Sequence, residues 1–282
     1  MYNIKISTTK PAILLVAAFS LFIVSCQKKF DPKSYAPVET FGGYGASNEI
    51  ASSDLVAHFS FENTLLDSTS KTSATGTGTT YVTGLKGQGL QIGLNNYALF
   101  TPTAAINSLK SMTVTYWVNT PINTAGIQEP ICFANSGQFW SNLDMFFDGQ
   151  TTATSVFKIH AFGSAGSEEA WLTNWSLASP WDNWIHIALT YDASSETFTF
   201  YANGAKVGSS VQTGFGDLDF ANFPSIIFGT IQFQTNPSLT SATTSQSWAS
   251  NVLGAMDEVR IYDKALGASD IKALYQLENL GK

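Results

Sequence analysis

Glu168 and Glu169 in GSEEAW, and Asp257 and Asp263 in MDEVRIYD, are the carboxylates whose spacing first suggests acid–base chemistry. A glycosidase needs two carboxylates flanking one bond, about 5 to 10 Å apart. Residues i and i+1 of a strand point to opposite faces, so Glu168 and Glu169 do not make such a pair. Asp257 and Asp263 lie six positions apart, with Arg260 between them. Neither arrangement reads as an acid and its base. His58, His160 and His186 are scattered through strand-like runs and form no zinc-ligand pattern. His160, in FKIHAF, reads as a strand histidine that faces solvent or is partly buried. Cys132, in EPICFA, reads as a small buried hydrophobe, because no His–Asp grouping adjoins it.

Tryptophan carries the stronger signal. Trp140, Trp171, Trp175 and Trp248 fall in GQFWSNLD, EEAWLTNW and TSQSWASN, in or beside loops rather than in core-like runs. Exposed indole faces stack on the apolar C–H faces of sugar rings, and neighbouring Asn, Asp and Gln bind hydroxyls. These four residues therefore form a predicted carbohydrate-binding patch. Trp171 and Trp175 share a face if their segment is a regular strand. Thr230–Asn251 looks like an insertion that folds over the same end and brings Trp248 near. The competing reading makes these tryptophans satellite core at the ends of the fold. Trp181, in SPWDNW, reads as part of a turn entering a core strand.

The elements that must position these residues are nearly all strands. LVAHFSFE, TYVT, GLQI, YALF, SMTVTYWVNT, SVFKIHAF, WIHIALTYD, TFTFYANG and AMDEVRIYD are rich in β-branched and aromatic residues, with Gly, Asn, Asp and Ser between them. Asn203-Gly204 predicts a tight hairpin turn. Many short strands without intervening helices predict a two-sheet antiparallel sandwich. One short C-terminal helix is predicted in SDIKALYQLE, with Ser269 as its cap and Ile271, Leu274 and Tyr275 on one face.

The first 53 residues read differently. Lys5 and Lys10 precede an apolar run, PAILLVAAFSLFIV, of signal-peptide length and too short for a comfortable membrane span. Ile23-Val24-Ser25-Cys26 resembles a bacterial lipobox. The resemblance implies a signal peptide over residues 1–25 and a lipidated Cys26 as the new N-terminus. A lipoprotein held at the outer membrane follows, its only membrane contact the lipid. Lys28 and Lys29 stand where surface-exported lipoproteins carry acids, so cell surface and periplasmic face both stay open. Residues 26–53 read as a flexible tether. Cleavage would remove two lysines and no acid, taking the formal charge from −7 to −9. That balance argues against a nucleic-acid partner. With Cys26 lipidated, Cys132 has no disulfide partner.

LVAHFSFENTLLDSTS, GLKGQGLQI, SMTVTYWVNT, WIHIALTYDASSETFTFYANGAKVGS and GAMDEVRIYDKALGASDIKALY together resemble the laminin-G-like members of the concanavalin A-like lectin and glucanase superfamily. The resemblance covers Asp54 to Tyr275 and implies a domain over residues 54–282. Its fold is an all-β jelly-roll whose last strand runs beside the first, with Trp117 and Trp184 in the core. It also implies a Ca²⁺ where the terminal strands meet, with Asp67, Asp257 and Asn63 as ligands and Glu62 a further donor. The competing reading makes Asp67 a turn residue and Asp257 a strand cap. The carboxylate motif of the superfamily's glucanases is missing. Of its lyase strands only Ile159-His160 is matched, with Lys158 in place of glutamine. The function expected is non-catalytic binding of poly- or oligosaccharide beside an outer-membrane transporter or enzymes. The alternatives are an adhesion module that binds protein, and an unrecognised glycan hydrolase or lyase.

Overall fold

The computed structural model describes Tyr2, residues 39–164 and residues 168–282. Apart from Tyr2, the predicted signal peptide lies outside the described residues, as does Cys26. Among the described residues sixteen strands build two sheets of eight. The first sheet holds β1 (Leu55–Phe59), β3 (Thr80–Thr83), β4 (Gln88–Gln91), β6 (Met112–Asn119), β11 (Ile185–Asp192), β12 (Thr197–Ala202), β13 (Ala205–Val211) and β16 (Ala255–Tyr262). Its order is β13-β12-β11-β6-β16-β4-β3, and β1 also pairs with β16. The second holds β2 (Thr75–Thr77), β5 (Tyr97–Phe100), β7 (Ile127–Phe133), β8 (Leu143–Asp148), β9 (Thr154–Phe162), β10 (Glu169–Ala178), β14 (Ile226–Phe228) and β15 (Ala249–Ser250). Its order is β10-β9-β8-β7-β14-β5-β2, and the short β15 joins β7 in parallel.

The two sheets face each other across one core. Phe59, Phe61, Phe100 and Phe228 meet there edge to face or stacked, with centroids 4.9 to 6.0 Å apart. Alternation supplies this core. On β9, Phe157, Ile159 and Ala161 point inward, while Lys158 and His160 take the opposite face. The antiparallel jelly-roll expected from the strand pattern is present. First and last strands pair, with His58 opposite Arg260 and Phe59 opposite Val259. Asn203 and Gly204 both take positive φ in the β12–β13 hairpin, as a tight two-residue turn requires.

Two short α-helices lie among the described residues, α1 (Ala104–Asn107) and α2 (Ala268–Asn279). Helix α2 buries Ile271, Ala273, Leu274 and Leu277 against the outer face of the first sheet. It opens at Gly267 without a side-chain cap, so Ser269 sits inside the first turn. Tyr275 leaves the buried stripe and stacks on Trp117 at 5.5 Å. Trp184 is half-buried and lines a surface hollow with Gln91 and Leu253. It is thus not enclosed in the core.

The segment read as tether is partly ordered. Phe41 bridges Tyr44, Ser47–Glu49 form a 3₁₀ turn, and Ile50 is buried beside Leu274 and Leu277. Ser47 donates to the carbonyl of Lys282 and accepts from Arg260. Ile50 thus joins the apolar cluster between α2 and the first sheet, which also holds Ala188, Tyr201 and Tyr262.

Candidate functional site

Strand β8 brings Asp144, Phe146 and Asp148 to the outer face of the second sheet, and β9 brings Lys158 and His160. One cross-strand row runs Ile227–Cys132–Asp144–His160–Trp171 over β14, β7, β8, β9 and β10. Neighbours in such a row touch, so the polar centre of the row is passed directly to the indole of Trp171. The Trp171 and His160 rings lie 4.5 Å apart, and Nδ1 of His160 donates to Asp144 Oδ2 at 2.8 Å. His160 is fully buried, not solvent-facing as its position in FKIHAF suggested. The indole covers it.

The remaining aromatics arrive on loops. Trp140 precedes β8, meets Trp171 edge-on at 4.9 Å and stacks on Phe146 at 5.7 Å. The segment Thr230–Asn251 folds across the same face. Gln232 ties it down by donating to the carbonyls of Gln138 and Phe139, and Gln234 donates to those of Gln246 and Ala249. Trp248 then stands 5.9 Å from Trp140. Gly126 lets the backbone come this close: a Cβ there would lie 2.3 Å from the Trp248 carbonyl oxygen.

Together they wall an open hollow of about 300 Å³. Its apolar sides are Trp140, Trp171, Trp248, Phe146 and Ile127. Its polar side is Asp148, Lys158 and Thr173, with Lys158 Nζ 2.5 Å from an Asp148 oxygen. Trp171 and Trp248 keep 38% and 42% of their surface exposed, unusual for tryptophan in a folded chain. Asp148, Lys158, Phe146 and Thr173 were missed from sequence. Their signal was strand alternation, which places Lys158 and His160 on one face once the register is known.

Trp175 does not join this group. The β9–β10 register shifts between Leu172 and Trp175, so the extra residue turns Trp175 to the inner face. There it stacks on Phe200 at 5.1 Å, and a Cβ on Gly208 would lie 2.5 Å from its ring nitrogen. Trp175→Ala should therefore cost about 3 kcal/mol of stability and leave ligand binding at the hollow unchanged. Thermal melts and a binding isotherm on the same sample check this; weaker binding at unchanged melting temperature would contradict the inward placement. Trp181 is also buried, donating to the Thr151 carbonyl at 2.6 Å.

Asp67 and Asp257, the expected calcium ligands, each accept hydrogen bonds from backbone N–H groups. Asp67 is fully buried and accepts from three backbone N–H groups, those of His58, Thr69 and Ser70, at 2.8 to 2.9 Å. It thus pins the turn after β1, as an Asx residue does. Asp257 accepts from the N–H groups of Lys86 and Glu258, and burial pushes its carboxyl up to about 7. Asn63 occupies a left-handed turn position. Glu62 accepts from the N–H of Gln88. These groups hold turns with the oxygens a cation would need. Asp67→Ala should lower stability by about 3 kcal/mol, since it strands backbone donors beside a buried site. The drop should be the same in excess Ca²⁺ and in chelator. A wild-type melting shift on chelation that this variant abolishes would restore Asp67 as a ligand.

Two members of the row, Cys132 and Asp144, form a fully buried group with Glu129, with one ligand atom of each within 4.8 Å of the others. No helix among the described residues is long and apolar enough to cross a membrane.

A laminin-G family model described as the concanavalin A-like lectin/glucanases superfamily matches residues 93–272. The chain belongs to this family. No curated protein sequence matches it significantly. Among solved structures, domain 4 of AbnA, a GH43 extracellular arabinanase from Geobacillus stearothermophilus in complex with arabinotriose, superposes with a TM-score of 0.53 at 22% identity. That match covers 79% of this chain and 98% of the domain. The binding domain of Paraclostridial Mosquitocidal Protein 1 gives 0.57 at 15% identity, covering 79% of this chain. This chain spans about half of that structure, 52%. The Ruminococcus gnavus IT-sialidase CBM40 bound to α2,3 sialyllactose gives 0.50 at 14% identity, covering 66% of this chain and 94% of that one. At these identities the likeness is one of fold.

Proposed function

We propose that this protein is a non-catalytic carbohydrate-binding module that docks sugar rings in the hollow between Trp140, Trp171 and Trp248. The observation that carries the proposal is the convergence of these three indoles beside the Asp148–Lys158 pair. Stacked C–H faces would lie on Trp171 and Trp248, the two most exposed indoles. Asp148 accepts and Lys158 donates, so together they suit two adjacent hydroxyls of one ring. Fold likeness to domains seen with arabinotriose and with sialyllactose supports a glycan ligand. A shallow, open site predicts micromolar to millimolar affinity, raised by many copies on one surface. A Ca²⁺ shared by Asp67 and Asp257 has no part in this reading.

The Lys5–Cys26 leader supports the rest of the proposal: a lipid anchor on Cys26 at the outer membrane, presenting glycan to a transporter or enzymes there. Cys26→Ser should abolish fatty-acid labelling and release the protein from membranes or leave it uncleaved. Continued labelling of the variant would refute the anchor. The ligand is tested by a glycan array spanning neutral arabinans, glucans and sialylated oligosaccharides, followed by calorimetry on the hits. Binding that survives loss of all three indoles would refute the site. Silence across the array, with capture of a protein partner blocked by the Trp171→Ala change, would move the hollow to a protein-docking role.

A further inference from the structure

We propose that Glu129, Cys132 and Asp144 form a binding site for one divalent metal ion of the zinc type, buried beneath the aromatic hollow. This site stands independently of the sugar-binding reading. All three residues are wholly inaccessible to solvent. Their ligand atoms already lie within 4.8 Å of one another, and Cys132 Sγ is 3.9 Å from Asp144 Oδ1. In a tetrahedral zinc site with sulfur at about 2.3 Å and oxygen at about 2.0 Å, ligand atoms lie roughly 3 to 4 Å apart. Small side-chain rotations close that difference.

The second observation is Glu129 itself. Its register with β8 is broken between Gln128 and Ile131, and this irregularity accompanies a carboxylate at zero exposure. One oxygen, Oε1, accepts from the Met145 N–H at 2.7 Å. The other, Oε2, is buried without any hydrogen-bond partner among the described residues. A buried carboxylate oxygen left bare is costly, and a cation is the partner that also satisfies the facing sulfur and carboxylate.

The surroundings are arranged as a metal's outer shell is. Asp144 Oδ2 accepts from the Ser141 N–H at 2.9 Å and from His160 Nδ1 at 2.8 Å, which leaves Oδ1 toward the sulfur. Such carboxylate–histidine contacts orient a ligating oxygen. Ser141 Oγ stands 2.8 Å from Sγ, so its hydroxyl or a water fills the fourth position. The thiolate selects the ion: sulfur with two carboxylates suits Zn²⁺ or Co²⁺ and disfavours Ca²⁺ and Mg²⁺. On binding, the Cys132 thiol proton and the proton that burial holds on the Glu129 carboxyl both leave to solvent, and the sulfur and oxygen lone pairs take their place on the metal.

The test refolds the purified protein with Zn²⁺ or Co²⁺, dialyses it, and measures metal content, the visible and near-ultraviolet spectrum, and melting. About one equivalent should remain, in line with a single closed site. The Co²⁺ form should show a sulfur-to-cobalt charge-transfer band, absent in Cys132→Ser. Metal should raise the melting temperature by roughly 5–10 °C, and Glu129→Gln should erase that rise. Folded wild-type protein retaining less than about a tenth of an equivalent would overturn the proposal. Retained Co²⁺ without the sulfur band would also overturn it, by placing the metal elsewhere. If Cys132→Ser does not fold, the wild-type spectrum and metal content decide alone.

Discussion

Trp171→Ala and Trp248→Ala should each weaken glycan binding by a factor of about five to ten, and the double change should take binding below detection. Both indoles are more than a third exposed, so neither change leaves a core cavity. The melting temperature of either variant should stay within a degree or two of wild type, as for surface substitutions of small cost. Trp140 should behave differently. It is less exposed than Trp171 or Trp248 and stacks on Phe146 at 5.7 Å as well as facing the hollow, so Trp140→Ala should lose both affinity and stability. Calorimetry against a hit glycan, with a melt of each variant, separates these outcomes. Unaltered affinity in the Trp171/Trp248 double variant would remove the hollow as the glycan site.

Arg260→Met should be the most destabilising single change outside the apolar core. The Arg260 guanidinium is almost fully buried, with Nε 2.7 Å from Glu278 and Nη2 2.7 Å from Glu258. It also donates to Ser47, tying the 3₁₀ turn to the last strand. Glu278 accepts in addition from the indole nitrogen of Trp117 at 2.7 Å, and His58 meets Glu258 at 3.0 Å. Burial pushes both carboxyls upward while Arg260 pulls both down; for Glu258, which His58 also holds down, the net is a fall to about 2, and for Glu278 burial wins and the carboxyl is pushed up to about 7. Without the guanidinium two buried carboxyls lose their counter-charge, a loss of about 3–5 kcal/mol. For a domain of this size that is roughly 6–20 °C in melting temperature.

The pH dependence gives the sign. In the variant Glu258 would rise from about 2, and Glu278, already at about 7, would titrate still further above its unfolded value of about 4.3. Such a group stabilises the fold below the unfolded value and loses that contribution as pH rises through the folded one. The deficit of Arg260→Met against wild type should therefore be small near pH 4 and grow toward pH 8. A deficit independent of pH would mean that packing, not charge, is what Arg260 contributes. Adding Glu278→Gln to Arg260→Met should recover part of the loss at pH 8.

How much of this was legible in the residues depends on how local each signal is. Strand existence and the Asn203-Gly204 turn follow from side-chain period and turn chemistry, which act over a few residues, whereas the pairing of first and last strands was implied by the family resemblance alone. The wholly apolar core positions on β9 follow from the same alternation. Trp140, Trp171 and Trp248 could be singled out because large aromatics sat outside core-like runs. Their meeting could not be derived, since it depends on a long loop closing over one sheet face through Gln232 and Gln234. Trp175 shows the limit most directly: one extra residue in β10 reverses the face on which it lies, and a bulge has no composition signature there.

The buried charges show the same division. Asp67, Asp257, Arg260 and Glu278 are ordinary polar letters in strand, turn and helix segments. Only the packing of α2 and residues 40–53 over β16 removes Arg260 and Glu278 from water and makes them partners. Residues 40–53 read as tether because they are polar, glycine-containing and aperiodic; Ile50 and Ser47 become structural only against a helix more than 200 positions away. The amino-acid sequence by itself determined the β-sandwich class and the aromatic candidates, because these rest on local periodicity and composition. Tertiary structure alone decided which indoles share a hollow, which acids hold turns, and which carboxylates lie beside Cys132. Those outcomes depend on cross-strand register and loop closure, and both are set by contacts between residues far apart in the chain.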